Sequence, residues 1–85
     1  KIDKYFSKVL GGDEIKLKPR PEAFLKAVYP NEIFECLMIG DSLKMDIEGA
    51  LNVGLKVIAV DYFNKLPKSD KYILIDDIKK LKEIL

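Results

Sequence analysis

At 85 residues the chain is one domain at most, since a chain of this length buries only about 60% of its unfolded surface on folding. Hydrophobic residues make up 48% and charged residues 34%, and 15 Lys and Arg against 14 Asp and Glu leave a net charge of +1, so composition marks neither a disordered chain nor a nucleic-acid binder. With no histidine and one cysteine, Cys36, catalysis by Ser-His-Asp or Cys-His, histidine-metal chemistry, an intramolecular disulfide and a multi-cysteine zinc site are all excluded.

No apolar run approaches the roughly 20 residues that cross a bilayer, and a membrane role is not expected. In chain order, Tyr5–Leu10 reads as a strand stopped by Gly11-Gly12. Lys18-Pro19-Arg20-Pro21 must be extended, because each proline pushes its predecessor out of the α region. Pro21 then opens a helix whose apolar stripe is Phe24, Leu25 and Val28, and Pro30 ends it. Cys36–Ile39 is a continuous apolar run closed by Gly40, which suits a strand buried on both faces. Met45, Ile47, Ala50 and Leu51 predict a helix from Leu43 to Val53, with Gly54 as its left-handed stop. Lys56–Val60 is the clearest strand, β-branched and apolar. After a polar loop, Tyr72–Ile75 reads as a fourth strand. Asp76 reads as the N-cap of a last helix, with Ile78, Leu81 and Leu85 on one face. Strands alternating with helices imply an α/β, Rossmann-like three-layer sandwich with a parallel sheet.

Ligands of such sheets sit beyond the carboxyl ends of the strands, which directs attention to Gly40–Asp46, Val60–Phe63 and the loop holding Lys18. Asp41 stands where a buried strand meets a helix, and Asp46 follows in the first turns of that helix. Two carboxylates without cysteine or histidine suit a hard, oxygen-seeking cation such as Mg²⁺. Gly40 permits close backbone approach, and the amides after Ser42 are candidates for phosphate oxygens. The same residues also fit a purely structural reading, in which Asp41 or Ser42 caps the helix and Asp46 complements its dipole. Lys18, held between prolines, is a candidate cation for a phosphoryl group or a carboxylate, or else a solvated surface lysine. Cys36 reads as a core residue, Arg20 as exposed, and Asp61 as either a turn former or a border of the site.

The element Lys18-Pro19-x-Pro21 followed by a helix, then Met38-Ile39-Gly40-Asp41-Ser42-x-x-x-Asp46-Ile47-x-Gly49-Ala50-x-x-x-Gly54-Leu55, resembles the haloacid dehalogenase (HAD) superfamily, nearest its phosphoglycolate-phosphatase-like hydrolases. That resemblance implies that Lys18 is the lysine stabilising the nucleophile and the transferred phosphoryl group, that Asp41 binds Mg²⁺, and that Asp46 supports the metal site or holds the lysine. It implies hydrolysis of small phosphorylated metabolites through an aspartyl phosphate, in the cytoplasm. Members of the superfamily also carry Asp-x-Asp on an N-terminal strand, a second strand ending in Ser or Thr, and in many cases a cap domain. None of these is found here, and no Asp-x-Asp occurs anywhere. The resemblance therefore implies the C-terminal portion of a HAD core, lacking the nucleophile strand and cap and inactive alone. The alternative from another class is a non-catalytic α/β binding or regulatory module that keeps a metal- or phosphate-binding loop.

Without the nucleophile strand, one edge of the strand 36–39 is expected to be uncovered and open to pairing. Three outcomes follow: association with the N-terminal remainder of the protein, self-association through that edge, or occupation of the edge by Tyr5–Leu10.

Overall fold

The computed structural model describes residues 6–12, 15 and 20–84, apart from the side chains of Lys82 and Ile84. Four strands form one parallel sheet in the order β1 (Lys8–Gly11), β2 (Cys36–Gly40), β3 (Lys56–Val60) and β4 (Ile73–Ile75). Successive side chains of a strand point to opposite faces, and in β2 and β3 both sets are apolar apart from the exposed Lys56 that opens β3. Cys36, Met38, Val57 and Ala59 therefore enter one core cluster, while Leu37, Ile58 and Val60 enter a second on the other face. Burial on both sides accounts for apolar runs without polar alternation.

The larger cluster lies under helix α1 (Pro21–Val28) and the segment 43–52, which supply Phe24, Val28, Ile47 and Ala50. Strand order advancing steadily from β1 to β3 with crossovers of one hand puts both helical connections on the same face. α1 starts at Pro21 with Glu22 in its first turn, and at eight residues it is too short to persist in water alone. Phe24 and Val28, one turn apart, are buried and supply the apolar contact that holds it to the sheet. Its carboxyl end is tied to β1 by Lys8, whose Nζ donates to the carbonyls of Ala27 at 2.7 Å and Tyr29 at 3.4 Å. The opposite face carries a thinner layer, in which Phe6 and Leu81 pack on Leu37, Ile58, Val60 and Ile75.

Four details depart from the sequence expectations. The edge of β2 is not exposed: β1 pairs along it from Lys8↔Cys36 to Gly11↔Ile39, so the segment before Gly12 fills the place of an added strand. Gly11 continues β1 instead of stopping it, and Tyr5 lies outside the described residues. The connection after β2 is not one regular α-helix but wide π-helical turns (Leu43–Glu48) running into a single α-helical turn, α2 (Gly49–Asn52). Gly54 does turn left-handed, with φ 92°.

The fourth departure concerns the last helix, where the capping residue is Asp77. Its Oδ1 accepts from Lys79 N at 2.9 Å ahead of a 3₁₀ turn (Ile78–Lys80) and α3 (Leu81–Ile84). Asp76 instead pairs with Lys80 at 2.7 Å, and the hydrogen bond and charge of that ammonium hold its carboxyl below the usual aspartate value. Leu85 lies outside the described residues.

Cys36 is fully buried on β2, and that desolvation pushes its thiol up, with Lys8 acting in the opposite direction. A thiol-specific reagent is therefore expected to modify Cys36 at least about a hundredfold more slowly in the native chain than in urea, because reaction waits for local opening. Equal rates would show that β1 and β2 do not enclose it.

Candidate functional site

A cavity of about 600 Å³ opens beyond the carboxyl ends of β1, β2 and β3, and Gly40, Asp41, Ser42 and Asp46 all line it. The local sequence explains its shape. Ser42 caps the turns after β2: its Oγ accepts from Met45 N at 3.2 Å, and its carbonyl accepts from both Asp46 N at 2.9 Å and Ile47 N at 3.0 Å. The second of these carbonyl contacts spans five residues, which is what makes the turn π-helical. The wide turn carries the Asp46 side chain back over the end of β2, where Oδ2 accepts from the amides of Asp41 and Ser42, each at 3.2 Å.

Only glycine fits beneath that side chain. A Cβ on Gly40 would lie 2.4 Å from Asp46 Cβ, and one on Gly12 would lie 2.8 Å from the Asp46 carboxylate. Asp46 is thus wedged between the ends of β1 and β2 and is 3% exposed. Gly12 was not among the sequence-predicted site residues. A glycine pair closing a strand next to an acidic loop was the available signal, since strand glycines often mark a close approach.

Asp41, by contrast, is exposed on the rim of the cavity. The two carboxylates therefore differ in setting: Asp46 Oδ2 accepts two amides of the turn, and Asp41 is open to solvent. Among the described residues no group of three or more His, Cys, Asp or Glu side chains converges as a ready-made metal cage. An oxygen-only donor set suits Mg²⁺, which characteristically binds through one or two carboxylates and retains several waters.

Of the amides after Ser42, that of Met45 is donated to the Ser42 hydroxyl, and the amides of Asp41 and Ser42 themselves are donated to Asp46. The hydroxyl of Ser42 accepts from Met45 N and keeps its own hydrogen to donate. Lys18 lies outside the described residues. Asp61 is a turn former: buried after β3, its Oδ1 accepts from Lys65 N at 2.8 Å, and it borders a separate, smaller cavity with Asp76 and Lys80. Arg20 is exposed, as expected.

Comparison with known proteins places this arrangement. Over 62 residues the chain is 42% identical to the N-acylneuraminate-9-phosphatase of Mus musculus, a match covering 67% of this chain and 23% of that protein. Over 64 residues it is 42% identical to the glyceraldehyde 3-phosphate phosphatase of Pyrococcus abyssi, covering 72% of this chain and 27% of that one. The chain therefore spans about a quarter of the length of the curated relatives it matches. Among solved structures, a HAD phosphatase from Thermococcus onnurineus superposes with a TM-score of 0.64 at 30% identity, over 95% of this chain and 39% of the other. A HAD-hydrolase of Bacillus subtilis, described as bound to magnesium, superposes with a TM-score of 0.63 at 31% identity, over 80% of this chain and 30% of its own. Residues 17–78, which include Gly40, Asp41, Ser42 and Asp46, match the HAD-hydrolase-like family model, and the chain belongs to that family.

Proposed function

We propose that these residues form the metal- and phosphate-binding part of a Mg²⁺-dependent phosphohydrolase acting on small phosphate esters. The observation that carries this reading is the convergence of Gly40, Asp41, Ser42 and Asp46 on one cavity at the carboxyl end of a parallel sheet. Its support from relatives is that those matched are named as phosphatases. In this reading Asp41 is the carboxylate that meets the cation, and Asp46 holds the turn that presents Asp41. Ser42 donates its hydroxyl to a phosphate oxygen, and Lys18 brings a positive charge to the transferred group. Mg²⁺ bound here would neutralise charge that develops during phosphoryl transfer.

The accepting aspartate comes from polypeptide outside these 85 residues, because no Asp-x-Asp is present in them. That polypeptide meets a sheet in which β1 already pairs with β2. Assembly either extends the sheet past β1 or displaces it, and self-association through residues 36–39 would likewise require β1 to leave. A cytoplasmic setting suits the single unpaired thiol, Cys36.

A phosphatase assay in Mg²⁺ tests the proposal. The 85-residue chain alone should show no turnover above buffer. A longer chain carrying an upstream Asp-x-Asp should turn over, with Asp41→Asn reducing kcat/KM on the order of a hundredfold or more. Mg²⁺-dependent turnover by the 85-residue chain, or indifference of the longer chain to Asp41→Asn, would overturn it.

A further inference from the structure

Asp61 is buried, and the hydrogen bonds that hold it bracket one short loop at the carboxyl end of β3. Its amide donates to the Ile75 carbonyl at 2.7 Å, which ties the end of β3 to the end of β4. Its Oδ1 accepts from Lys65 N at 2.8 Å and closes a turn over Tyr62, Phe63 and Asn64. Asn64 takes a left-handed backbone, φ 55°, which asparagine tolerates better than most residues and which lets the chain return so soon. The loop 61–65 is therefore fixed at both ends.

The register of the sheet sets where it is fixed. Gly40 pairs with Ala59 in neighbouring parallel strands, so Asp41 follows level with Val60. Tyr62 then stands in the loop beside the one that carries Asp41 and Ser42, and it lines the same cavity as they do. Asp61 lines the smaller cavity with Asp76 and Lys80 instead. The loop and both of its anchors, Ile75 and Lys65, lie within residues 17–78, the stretch that matches the family model. A phosphate gripped at Asp41 and Ser42 leaves its ester group to extend along the cavity, and the end of the next strand is where that group meets protein. A phenol brings no positive charge to a phosphate, but its ring face and hydroxyl both suit an organic group.

Resting on the phosphohydrolase reading above, we infer that Tyr62 contacts the organic part of the phosphate ester, and that Asp61 is a positioning residue that holds Tyr62 there by closing the loop on Lys65 N.

The test uses the longer chain carrying an upstream Asp-x-Asp, assayed in Mg²⁺ with phenyl phosphate as substrate. Inorganic phosphate, which has no organic part, serves as competitive inhibitor. Tyr62→Ala should raise KM for phenyl phosphate about tenfold with kcat within about twofold, the pattern of a contact made equally in ground and transition states. The inhibition constant of phosphate should stay unchanged. Asp61→Ala should reproduce this pattern, because Lys65 N loses its acceptor. Asp61→Asn keeps an oxygen for that amide and should restore the wild-type KM. Added to Tyr62→Ala, Asp61→Ala should have no further effect on KM. Should Asp61→Ala fail to fold, Lys65→Pro removes the same bond by deleting its N–H at an exposed position and gives the same reading. An unchanged KM in Tyr62→Ala would overturn the contact. An unchanged KM on loss of the Asp61–Lys65 bond, or phosphate inhibition weakened as much as phenyl phosphate binding, would overturn the positioning role while sparing the phosphate site. Absence of turnover by the longer chain would overturn both readings.

Discussion

Gly40→Ala is expected to destabilise the fold by on the order of 3 kcal/mol, among the largest effects of any single-methyl change in the chain. The new Cβ would stand 2.4 Å from Asp46 Cβ, a contact between two main-chain-anchored atoms that no rotamer change relieves. Relief requires moving the end of β2, where Gly40 pairs with Ala59 and the preceding Ile39 is held on both sides, or unwinding the turns that begin at Ser42. Urea unfolding checks the magnitude. In an Asp46→Gly background, where the obstructing atom is gone, the same substitution should cost far less, giving a large coupling in the double-mutant cycle. A Gly40→Ala midpoint close to wild type would mean that Asp46 does not lie over Gly40.

The second large effect separates the two acids. Asp46→Ala deprives the amides of Asp41 and Ser42 of their acceptor in a nearly buried setting, at a cost of about 1–3 kcal/mol. Because the turn carrying Asp41 then loosens, Mg²⁺ binding should weaken with it. Asp41→Ala alters only an exposed side chain, so unfolding should stay within about 0.5 kcal/mol of wild type. Mg²⁺ affinity, however, should fall at least about tenfold. Calorimetric titration with Mg²⁺ beside urea unfolding distinguishes the variants. Equal stability losses would refute the assignment of architecture to one acid and ligation to the other.

How far the sequence revealed this arrangement depended on the range of the interactions involved. β2 and β3 were legible almost to the residue, because burial on both faces leaves an unbroken apolar run between glycines or turns. The convergence of Gly40, Asp41, Ser42 and Asp46 was legible as well, since it needs only a strand that ends where a helix starts. The position of β1 was not, because pairing between residue 8 and residue 36 leaves no local trace and was open among three outcomes. Nor were the π-helical turns, which are set by the bond from Ile47 N to the Ser42 carbonyl and carry the Asp46 side chain back onto the amides at 41 and 42, contacts no apolar periodicity reports. Asp76 and Asp77 are equivalent as capping residues on paper. The choice between them was settled by the extended backbone of Asp77 (φ −150°) and by Lys80, which engages Asp76.

Asp41 is the residue proposed to bring a divalent cation to the end of β2, and Mn²⁺ is the direct probe of that role, sharing the preference of Mg²⁺ for carboxylate and water oxygens. Added in small amounts to the labelled 85-residue chain, Mn²⁺ should broaden the amide signals of Gly40, Asp41 and Ser42 first, and Asp41→Asn should abolish that pattern in a chain that remains folded. Broadening centred instead on the exposed Asp76–Asp77 pair, or unchanged by Asp41→Asn, would contradict it.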